Sequence, residues 1–395
     1  MSKISDFVKV KNQRVAGRYS KTKVSMGHFV EDFMQGKIDV EGDFIDLMKH
    51  KDEVFDYNFT SEHFHFFFTR FIPEVTMHTK KQDERIVRSH YDNKNDLFSW
   101  FLGPRMVYTT GFYVNGNENL EVAQDNKMDL IAQKMQFKPG QTMLDIGCGW
   151  GTLVMHSAKH YGMDATGITI AQAGADFGNN QIKENGVSDK ARIQRMDYRD
   201  IPQKKYDKIT CLEMAEHVGL KNFEKFMAQI YDLLNDDGLF YLQIAGIRER
   251  RKALWGPNME DLVWGLFMNK FIFSGADASK PLNWDARRIE KVGFEMHSIE
   301  NVGIHYSHTV NAWYHNWMRN KDKCIAKYGE ETFRMYQLFL GWSVEITAQG
   351  SSTAYQIVCN KNLNKFNRNR WIGAVTMGER DRFKQSAAAK VAELV

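Results

Sequence analysis

The chain has 395 residues, of which 43% are hydrophobic and 26% are charged. This composition is ordinary for a globular protein of one large or two modest domains, and it argues against a disordered or fibrous chain. The net charge of +4 is too small to indicate nucleic-acid binding by itself, so we expect no nucleic-acid partner.

Membrane-spanning and disulfide-rich classes are also disfavoured. The longest apolar candidate, residues 64–72, is short and is interrupted by His65, Thr69 and Arg70. No hydrophobic run of a secretory signal opens the sequence. The chain has four cysteines, Cys148, Cys211, Cys324 and Cys359. They are too few for a disulfide framework and are not spaced like metal ligands, so we expect a reduced, cytoplasmic protein without a metal site.

Residues 1–85 mix polar and aromatic segments without a repeated strand signal, which predicts a helical accessory region. Its first 24 residues hold seven Lys or Arg side chains and a single acid, Asp6. Such a segment is attracted to an anionic membrane surface by about 1 kcal/mol per basic residue near the surface. A solvated tail without a partner is the alternative, so the sequence leaves peripheral membrane contact open.

From about residue 129 strands and helices alternate, as βαβ units require. This order predicts a Rossmann-like, doubly wound α/β sheet within a domain at 86–360. Beyond 360 the chain turns basic and then Ala-rich, which predicts an extension, 361–395, with a helix near 379–394. Strands are predicted at 142–146, 164–170, 191–196, 206–212, 238–244 and 353–359, and a helix at 260–273.

A glycine-rich loop follows the first predicted strand of this sheet. Glycines at a strand-to-helix turn let the backbone approach a ligand, and the helix start offers free N–H groups. The spacing, Gly147, Gly149 and Gly151, is GxGxG rather than the GxGxxG of dinucleotide enzymes, and no acid ends the second strand. Asp145 before the loop and Asp197 after the third strand favour a nucleoside that carries an amino acid. A tight turn without a ligand is the alternative.

Five segments carry recognisable motifs. They are HYDNKNDLFSWFLGPRMVYTTGFY (90–113), MLDIGCGWGTL (143–153), CLEMAEHVGLKNF (211–223), NKFIFSGADAS (269–279) and HYSHTVNAWYHNW (305–317). These segments resemble the cyclopropane fatty acid synthase family, whose members bind S-adenosylmethionine in a Rossmann-like fold. The nearest likeness within that family is to the fungal sphingolipid C9-methyltransferases, which carry N-terminal transmembrane helices that this sequence lacks.

The resemblance implies which residues hold the cofactor. The family usually places a Gln five residues beyond the threonine of the second strand; here that position is Gly174, although Gln172 is near. The implied cofactor residues, together with Asp145, are Tyr108, Thr109, Gly147, Gly149, Thr169, Gln172, Asp197 and Tyr198.

Methylation of an alkene needs no deprotonated nucleophile, because the π electrons attack the sulfonium methyl directly. The enzyme must stabilise the resulting carbocation and then remove a proton from it. Glu216 follows the fourth predicted strand, at the sheet edge where substrates bind, although it could instead be a surface carboxylate. His217 is a second candidate whose alternative is a packing role. By resemblance, Tyr306 lies near the reacting centre.

In the bacterial synthases a bicarbonate ion, held partly by a Cys and a His, is the base. The corresponding positions here are Thr110 and Gln243, which still donate hydrogen bonds to an anion. This leaves bicarbonate open as a second cofactor and favours simple C-methylation over ring closure. Aromatic clusters at 64–72 and 255–273 suggest an acyl channel or ordinary core packing. Candidates for the channel wall are Trp264, Phe267 and Phe271.

The sequence therefore predicts a C-methyltransferase that uses S-adenosylmethionine, releases S-adenosylhomocysteine and acts on an unsaturated lipid, a sphingoid or fatty acyl chain. An N-methyltransferase of a small amine is the first alternative, because such enzymes share this fold and much of its motif set. A cofactor-binding protein without catalysis is the second alternative. A homodimer is left open.

Overall fold

A computed structural model describes residues 2–71, 79–80, 82, 94–248 and 258–372. Its N-terminal layer, residues 2–71, is built from short elements. They are strands β1 (Val8–Val10), β2 (Val24–Ser25), β3 (Ile38–Val40) and β4 (Phe55–Asp56), helices α1 (Ala16–Tyr19), α2 (Met26–Met34), α3 (Phe44–Lys49), α4 (Lys51–Val54) and α5 (Ser61–Phe66), the 3-10 turns Ile4–Asp6 and Gln13–Val15, and the π-helical turn Phe67–Phe71.

The N-terminal layer is less purely helical than the sequence predicted. β1 pairs with β3 in an antiparallel ladder, and β2 pairs with β4 in a parallel one. Strands of two or three residues are too short to show the alternation of apolar and polar residues that marks a strand. These two ladders therefore could not be predicted from the hydrophobic pattern of the sequence.

A seven-stranded sheet forms the centre of the molecule, in the order β10-β11-β9-β8-β5-β6-β7. β5 to β9 are mutually parallel, whereas β11 runs antiparallel between β9 and β10. The strands are β5 (Thr142–Ile146), β6 (Asp164–Thr169), β7 (Ala191–Arg195), β8 (Tyr206–Leu212), β9 (Leu234–Ile247), β10 (Phe294–Asn301) and β11 (Ser352–Lys361).

The Rossmann-like α/β prediction is confirmed, with two differences in the sheet. The late strand is antiparallel to its neighbours rather than part of a wholly parallel sheet. β10 was not predicted, because only its first residue is buried and its sequence, FEMHSIEN, contains no continuous apolar run. An edge strand of this kind carries a weak hydrophobic signal.

Helices lie between the strands and in a C-terminal group. The predicted helix at 260–273 is present as an α-helix, Met259–Phe267, followed by a π-helical turn, Met268–Ile272. The helices are α6 (Asn95–Leu102), α7 (Leu120–Lys134), α8 (Thr152–Tyr161), α9 (Gln172–Glu184), α10 (Phe223–Leu233), α11 (Met259–Phe267), α12 (Leu282–Lys291), α13 (Gly303–Arg319), α14 (Lys321–Tyr328) and α15 (Glu330–Ala348), with 3-10 turns at Tyr198–Asp200, Ala215–His217 and Arg368–Trp371.

The N-terminal layer packs on the C-terminal helices α13 and α15 in one hydrophobic core. Two buried cations fasten the layer to α15 and α11. The guanidinium of Arg334 on α15 donates to the carbonyl oxygens of Phe33 at 3.2 Å and Ile38 at 2.9 Å. Lys51 pairs with Glu260 on α11 at 2.8 Å, and both side chains are almost fully buried. The layer is thus held on α15, which in turn packs against α13, the helix that carries Tyr306.

The order of strands defines where a ligand is expected. The chain passes from β5 through β6 to β7 on one side and then returns to β8 on the other side of β5. In such sheets ligands bind at the carboxyl ends of the strands beside this switch point. Among the described residues, no helix is long and apolar enough to cross a membrane. The helix predicted at 379–394 lies outside those residues.

Candidate active site

A cavity of about 250 Å³ lies at the carboxyl ends of β5, β6 and β8, beside the switch point. Its walls combine glycines, apolar and aromatic side chains and a few charged groups. The predicted site residues that line it are Tyr108, Thr109, Asp145, Gly147, Gly149, Thr169, Asp197, Tyr198 and His217.

The glycine loop after β5 forms one side of this cavity with its backbone. Gly147 has φ +78°, and a Cβ there would lie 2.5 Å from the side chain of Met214, so only glycine fits. Gly149 has φ +56°, and a Cβ there would meet no atom within 4 Å, so the backbone borders open space. This loop can therefore be approached closely by a ligand.

Gly174, where the family usually has Gln, lies against the same loop. A Cβ at this position would be 2.7 Å from the carbonyl oxygen of Gly149, so the first turn of α9 packs too tightly for a side chain. Gln172 does not replace the missing Gln in this structure. It is exposed, does not line the cavity, and donates to Asp176 at 2.8 Å.

Two aspartates border the cofactor side of the cavity. Asp145 is buried at the end of β5 and accepts a hydrogen bond from the Thr210 hydroxyl at 2.7 Å. Burial raises the pKa of Asp145 to about 6. Asp197 accepts bonds from Arg199 at 2.7 and 2.8 Å, which lower its pKa although partial burial acts in the opposite direction. The carboxylate of Asp197 is therefore already engaged by an arginine.

Aromatic rings, among them Tyr108 and Phe273, line part of the cavity. The ring of Tyr108 lies with its centroid 5.6 Å from those of Phe98, Phe273 and Trp313. Phe273 lines the cavity, just after the π-helical turn. The predicted wall residues lie farther away: Trp264, Phe267 and Phe271 do not line this cavity, and Phe267 packs against Trp342 in the core, 5.9 Å between centroids. The side-chain placement of Trp255 is outside the described residues.

A hydrogen-bond network of side chains from five distant segments lies at the inner wall. Thr109, Lys127 and Glu213 line the cavity, whereas Gln243 and Tyr306 do not line it and hold these residues from outside. Lys127 donates to the Thr109 hydroxyl at 2.6 Å, and Gln243 donates to the same oxygen at 2.8 Å. Gln243 also donates to Glu213 Oε1 at 2.6 Å, while the Tyr306 hydroxyl donates to Glu213 Oε2. Glu213 lines the cavity, so the network presents its carboxylate there.

Two members of this network have strongly shifted pKa values. Burial lowers the pKa of the Lys127 ammonium to about 7, against the opposing charges of Glu213 and Asp145. Burial, assisted by the charge of Glu213, raises the pKa of Tyr306 well above its ordinary value. Tyr306 therefore remains a hydrogen-bond donor at neutral pH.

Glu216 and His217 occupy different surroundings. Glu216 is buried, does not line the cavity, and accepts a hydrogen bond from the backbone N–H of Ala245. Burial, followed by repulsion from Glu213, raises the pKa of Glu216 to about 8. His217 is half-buried and lines the cavity. Thr110 is fully buried outside the cavity and donates to the carbonyl of Gly111 at 2.9 Å.

Sequence reasoning missed Glu213, Lys127 and Arg199. A signal was available for Glu213, because it directly follows β8 and so had to lie at the carboxyl edge of the sheet. Lys127 gave none, since it lies in the middle of α7, a helix whose buried face also holds Gln124, Asn126 and Asp129. Arg199 follows Asp197 by two residues, and only the turn between them reveals their ion pair.

The described residues fit S-adenosylmethionine in their chemistry. The open backbone at Gly149 offers unobstructed contact to an amino-acid moiety, and Asp145 supplies a buried acceptor at the end of β5. Tyr108 and Phe273 offer aromatic faces to a sulfonium cation. No group of three or more His, Cys, Asp or Glu side chains in the described ranges is arranged to hold a metal ion.

Comparison with known proteins identifies close relatives. A family model described as mycolic acid cyclopropane synthetase matches residues 78–357. The sphingolipid C9-methyltransferase of Komagataella phaffii is 46% identical over 377 residues, which cover 92% of this chain and 76% of that protein. The sphingolipid C9-methyltransferase of Candida albicans is 45% identical over 355 residues, covering 88% and 68% respectively. These matches confirm the resemblance found in the motifs.

Solved structures share the fold. Mycolic acid cyclopropane synthase CmaA1, complexed with SAH and CTAB, has a TM-score of 0.67 at 24% identity and covers 73% of this chain and 100% of that one. Coclaurine N-methyltransferase, bound to N-methylheliamine and SAH, has a TM-score of 0.67 at 16% identity and covers 85% and 99%. The same fold thus occurs in a cyclopropane synthase and in an N-methyltransferase, so the fold does not tell these two classes apart. The family match is what assigns this chain to the first class. The chain belongs to the mycolic acid cyclopropane synthetase family and is an S-adenosylmethionine-dependent methyltransferase.

Proposed function

We propose that this enzyme transfers the methyl group of S-adenosylmethionine to a double-bond carbon of an unsaturated sphingoid or fatty acyl chain. The names of the fungal relatives support a sphingoid substrate. The observation that carries the proposal is a carboxylate on the cavity wall, Glu213, which accepts a hydrogen bond from Tyr306 and shares the cavity with the aromatic rings of Tyr108 and Phe273. This arrangement suits a cation that forms on carbon.

The chemistry follows from the groups on the cavity wall. The π electrons of the substrate double bond form a bond to the methyl carbon, which leaves the sulfonium as a neutral thioether, and the neighbouring carbon becomes a cation. Aromatic faces such as Tyr108 and Phe273 stabilise a cation by about 0.5–2 kcal/mol each, depending on desolvation. A carboxylate adds further electrostatic stabilisation in a site that excludes water.

Specific roles follow for the residues at this site. Tyr108, Thr109, Gly147, Gly149, Thr169 and Tyr198 border the cavity and would hold the cofactor, with Asp197 available if Arg199 releases it. Tyr306, through its hydroxyl, orients the carboxylate that it contacts. His217 borders the cavity and is a further candidate for contact with the substrate, whereas Glu216 is buried outside the cavity.

Incubation with methyl-labelled S-adenosylmethionine tests this function. Purified protein is mixed with a total lipid extract, and the products are separated into lipid and water-soluble fractions. We expect label in the lipid fraction, on a carbon that survives hydrolysis of the headgroup. Label only in small amines would instead support the N-methyltransferase alternative and contradict the lipid assignment.

We also propose that the enzyme contacts the membrane that contains its substrate through Phe64 and Phe68. These side chains are 51% and 65% exposed, are spaced four residues apart, and are flanked by exposed Arg70. Exposed aromatic residues beside a basic one favour an interfacial position at a lipid surface.

Sedimentation with vesicles of phosphatidylcholine and phosphatidylserine tests this contact. We expect the double variant Phe64→Asp/Phe68→Asp to bind at least tenfold more weakly than the native protein. Ile372→Asp is the control, because Ile372 is 83% exposed and lies in a different part of the chain. Equal binding by the double variant and the native protein would contradict this surface.

A further inference from the structure

The residue that directly follows β8 has an unusual backbone conformation. Glu213 has φ +55°, in the left-handed region that disfavours side chains other than glycine. Such conformations persist where surrounding structure enforces them, and they concentrate at functional sites. Here the turn directs the Glu213 carboxylate to the inner wall of the cavity, where two side chains from other elements hold it.

Those two side chains, Gln243 and Tyr306, come from β9 and α13. Gln243 donates to Glu213 Oε1 at 2.6 Å, and the Tyr306 hydroxyl donates to Oε2, so each carboxylate oxygen has its own donor. Gln243 is itself oriented, because its amide also donates to Thr109 at 2.8 Å and its carbonyl accepts from Gln356 at 3.4 Å. The carboxylate is therefore fixed from both sides.

Gln243 is also one of the two positions, with Thr110, at which the family resemblance implies a bicarbonate ion, and Tyr306 lies beside it. The donors that would hold such an ion are already used. Gln243 and Tyr306 donate to Glu213, and Thr110 donates to the carbonyl of Gly111 at 2.9 Å. The arrangement does not fit bicarbonate, because a carboxylate of the chain itself occupies the anion position.

We propose that Glu213 is the catalytic base of this enzyme, an internal carboxylate that takes the place of a bound anion. This inference rests on the proposed function. After methyl transfer, a Glu213 oxygen forms a bond to a proton of the carbocation, either on the new methyl or on a carbon next to the cation. The electron pair of the broken C–H bond then closes a ring or forms a double bond, and the Glu213 carboxylate becomes a neutral carboxylic acid.

Glu216 then has a different task. It lies outside the cavity wall, and its carboxyl group is tied to the backbone of β9 at Ala245, two residues after Gln243. Burial raises the pKa of Glu216 to about 8, so its carboxyl group is mostly protonated at pH 7 and cannot accept a proton from the substrate. We assign it a positioning role for the end of β9, and through it for Gln243.

Two variants of Glu213 test the proposal in bicarbonate-depleted buffer. Glu213→Gln keeps the shape but cannot accept the proton, and we expect a loss of at least 100-fold in lipid methylation. Glu213→Gly suits the positive φ, leaves Gln243 and Tyr306 facing a vacated anion position, and should be equally inactive. Added sodium bicarbonate or formate should restore the glycine variant at least tenfold and leave the native enzyme and the glutamine variant unchanged.

Binding of S-adenosylhomocysteine, measured by calorimetry, checks that the variants fold, and we expect dissociation constants within threefold of the native value. Glu290→Gln, at an exposed helix end, is the matched control and should retain native turnover. Three results would each overturn Glu213 as the base. They are undiminished turnover by Glu213→Gln, dependence of native turnover on bicarbonate, and a Glu213→Gly variant that binds S-adenosylhomocysteine but whose turnover is not restored by bicarbonate or formate. Absence of lipid product from the native enzyme would instead overturn the proposed function, and this inference with it.

Discussion

The two sides of the active-site cavity are built in different ways. The glycine wall, formed by Gly147, Gly149 and Gly174, presents backbone to the cofactor within 28 residues of chain. The carboxylate wall presents the side chains of Lys127, Thr109 and Glu213, which are held by Gln243 and Tyr306 from outside the cavity, so that five distant segments contribute to it. Local sequence is enough to specify the first, whereas the second exists only once the whole chain has folded. Changes to the glycine wall should therefore act on cofactor affinity, and changes to the carboxylate wall on turnover.

The largest effect is expected from Gly147→Ala. A Cβ at this position has an unfavourable positive φ and would lie 2.5 Å from Met214, so the loop must move. We expect the affinity for S-adenosylhomocysteine to fall by about 100-fold, because strain and overpacking together cost about 3 kcal/mol. Isothermal titration calorimetry measures this loss directly.

Gly140→Ala is the control for backbone strain alone. Gly140 has φ +80°, similar to Gly147, but a Cβ there would meet no atom within 4 Å. It should lower stability by about 1 kcal/mol and leave the affinity unchanged. Equal losses of affinity in both variants would show that the close approach of the glycine wall is not what binds the cofactor.

A smaller effect, confined to turnover, is expected from Tyr306→Phe. The variant keeps the ring but removes the hydroxyl that donates to Glu213, so the carboxylate loses one of its two side-chain donors. We expect kcat to fall by about tenfold to 100-fold, in line with the loss of one oriented hydrogen bond at a reacting centre. Single-turnover methylation with saturating cofactor measures it.

Tyr355→Phe is the matched control, because Tyr355 is half-buried on β11 outside the cavity. Its kcat should stay within twofold of the native value. If Tyr306→Phe weakened S-adenosylhomocysteine binding as strongly as turnover, the separation between the two walls would be wrong.

The smallest effect concerns stability. The pKa of Glu216 is about 8 in the folded protein and 4.5 ordinarily, so between these values the folded state holds a proton that the unfolded state has lost. Its contribution to the free energy of unfolding is therefore full below about pH 4.5 and declines as pH rises, by up to about 1.4 kcal/mol per unit. Glu216→Gln cannot ionise at this position, so its free energy of unfolding lacks this decline. The difference in free energy of unfolding, variant minus native, should therefore rise by about 2 kcal/mol between pH 6 and pH 8.

Urea unfolding at several pH values measures this difference, with Glu290→Gln as an exposed control that should parallel the native protein. Parallel curves for Glu216→Gln and the native protein would mean that Glu216 is ionised in the folded state. Its assignment as a neutral positioning residue would then fail.

The contrast between the walls also shows how far the sequence could predict this molecule. β5 and β8 were predicted with their observed bounds, 142–146 and 206–212, because buried parallel strands are short apolar runs between turn signals. The glycine loop was predicted for the same reason, since its spacing and the strand before it are local in sequence. The edge strand β10 and the antiparallel direction of β11 depend on tertiary pairing and were missed.

The site was only partly predictable. The motif resemblance placed Tyr108, Thr109 and the glycines at the cavity, where the structure has them. It did not identify Glu213, whose only local signal is its position directly after β8 and whose partners Gln243 and Tyr306 lie 30 and 93 residues farther along the chain. Glu213 and Glu216 belong to the same motif segment, 211–223, and only the folded turn between them shows that Glu213 lines the cavity and Glu216 does not.

A crystal structure with bound S-adenosylhomocysteine would show directly whether the methyl donor lies between the two walls. We expect the homocysteine moiety against the glycine wall and the sulfur atom directed toward the Glu213 carboxylate, which stays hydrogen-bonded to Gln243 and Tyr306. A ligand bound elsewhere would rule out this arrangement, and so would a bicarbonate ion between Gln243 and Tyr306 with Glu213 turned away from the cavity.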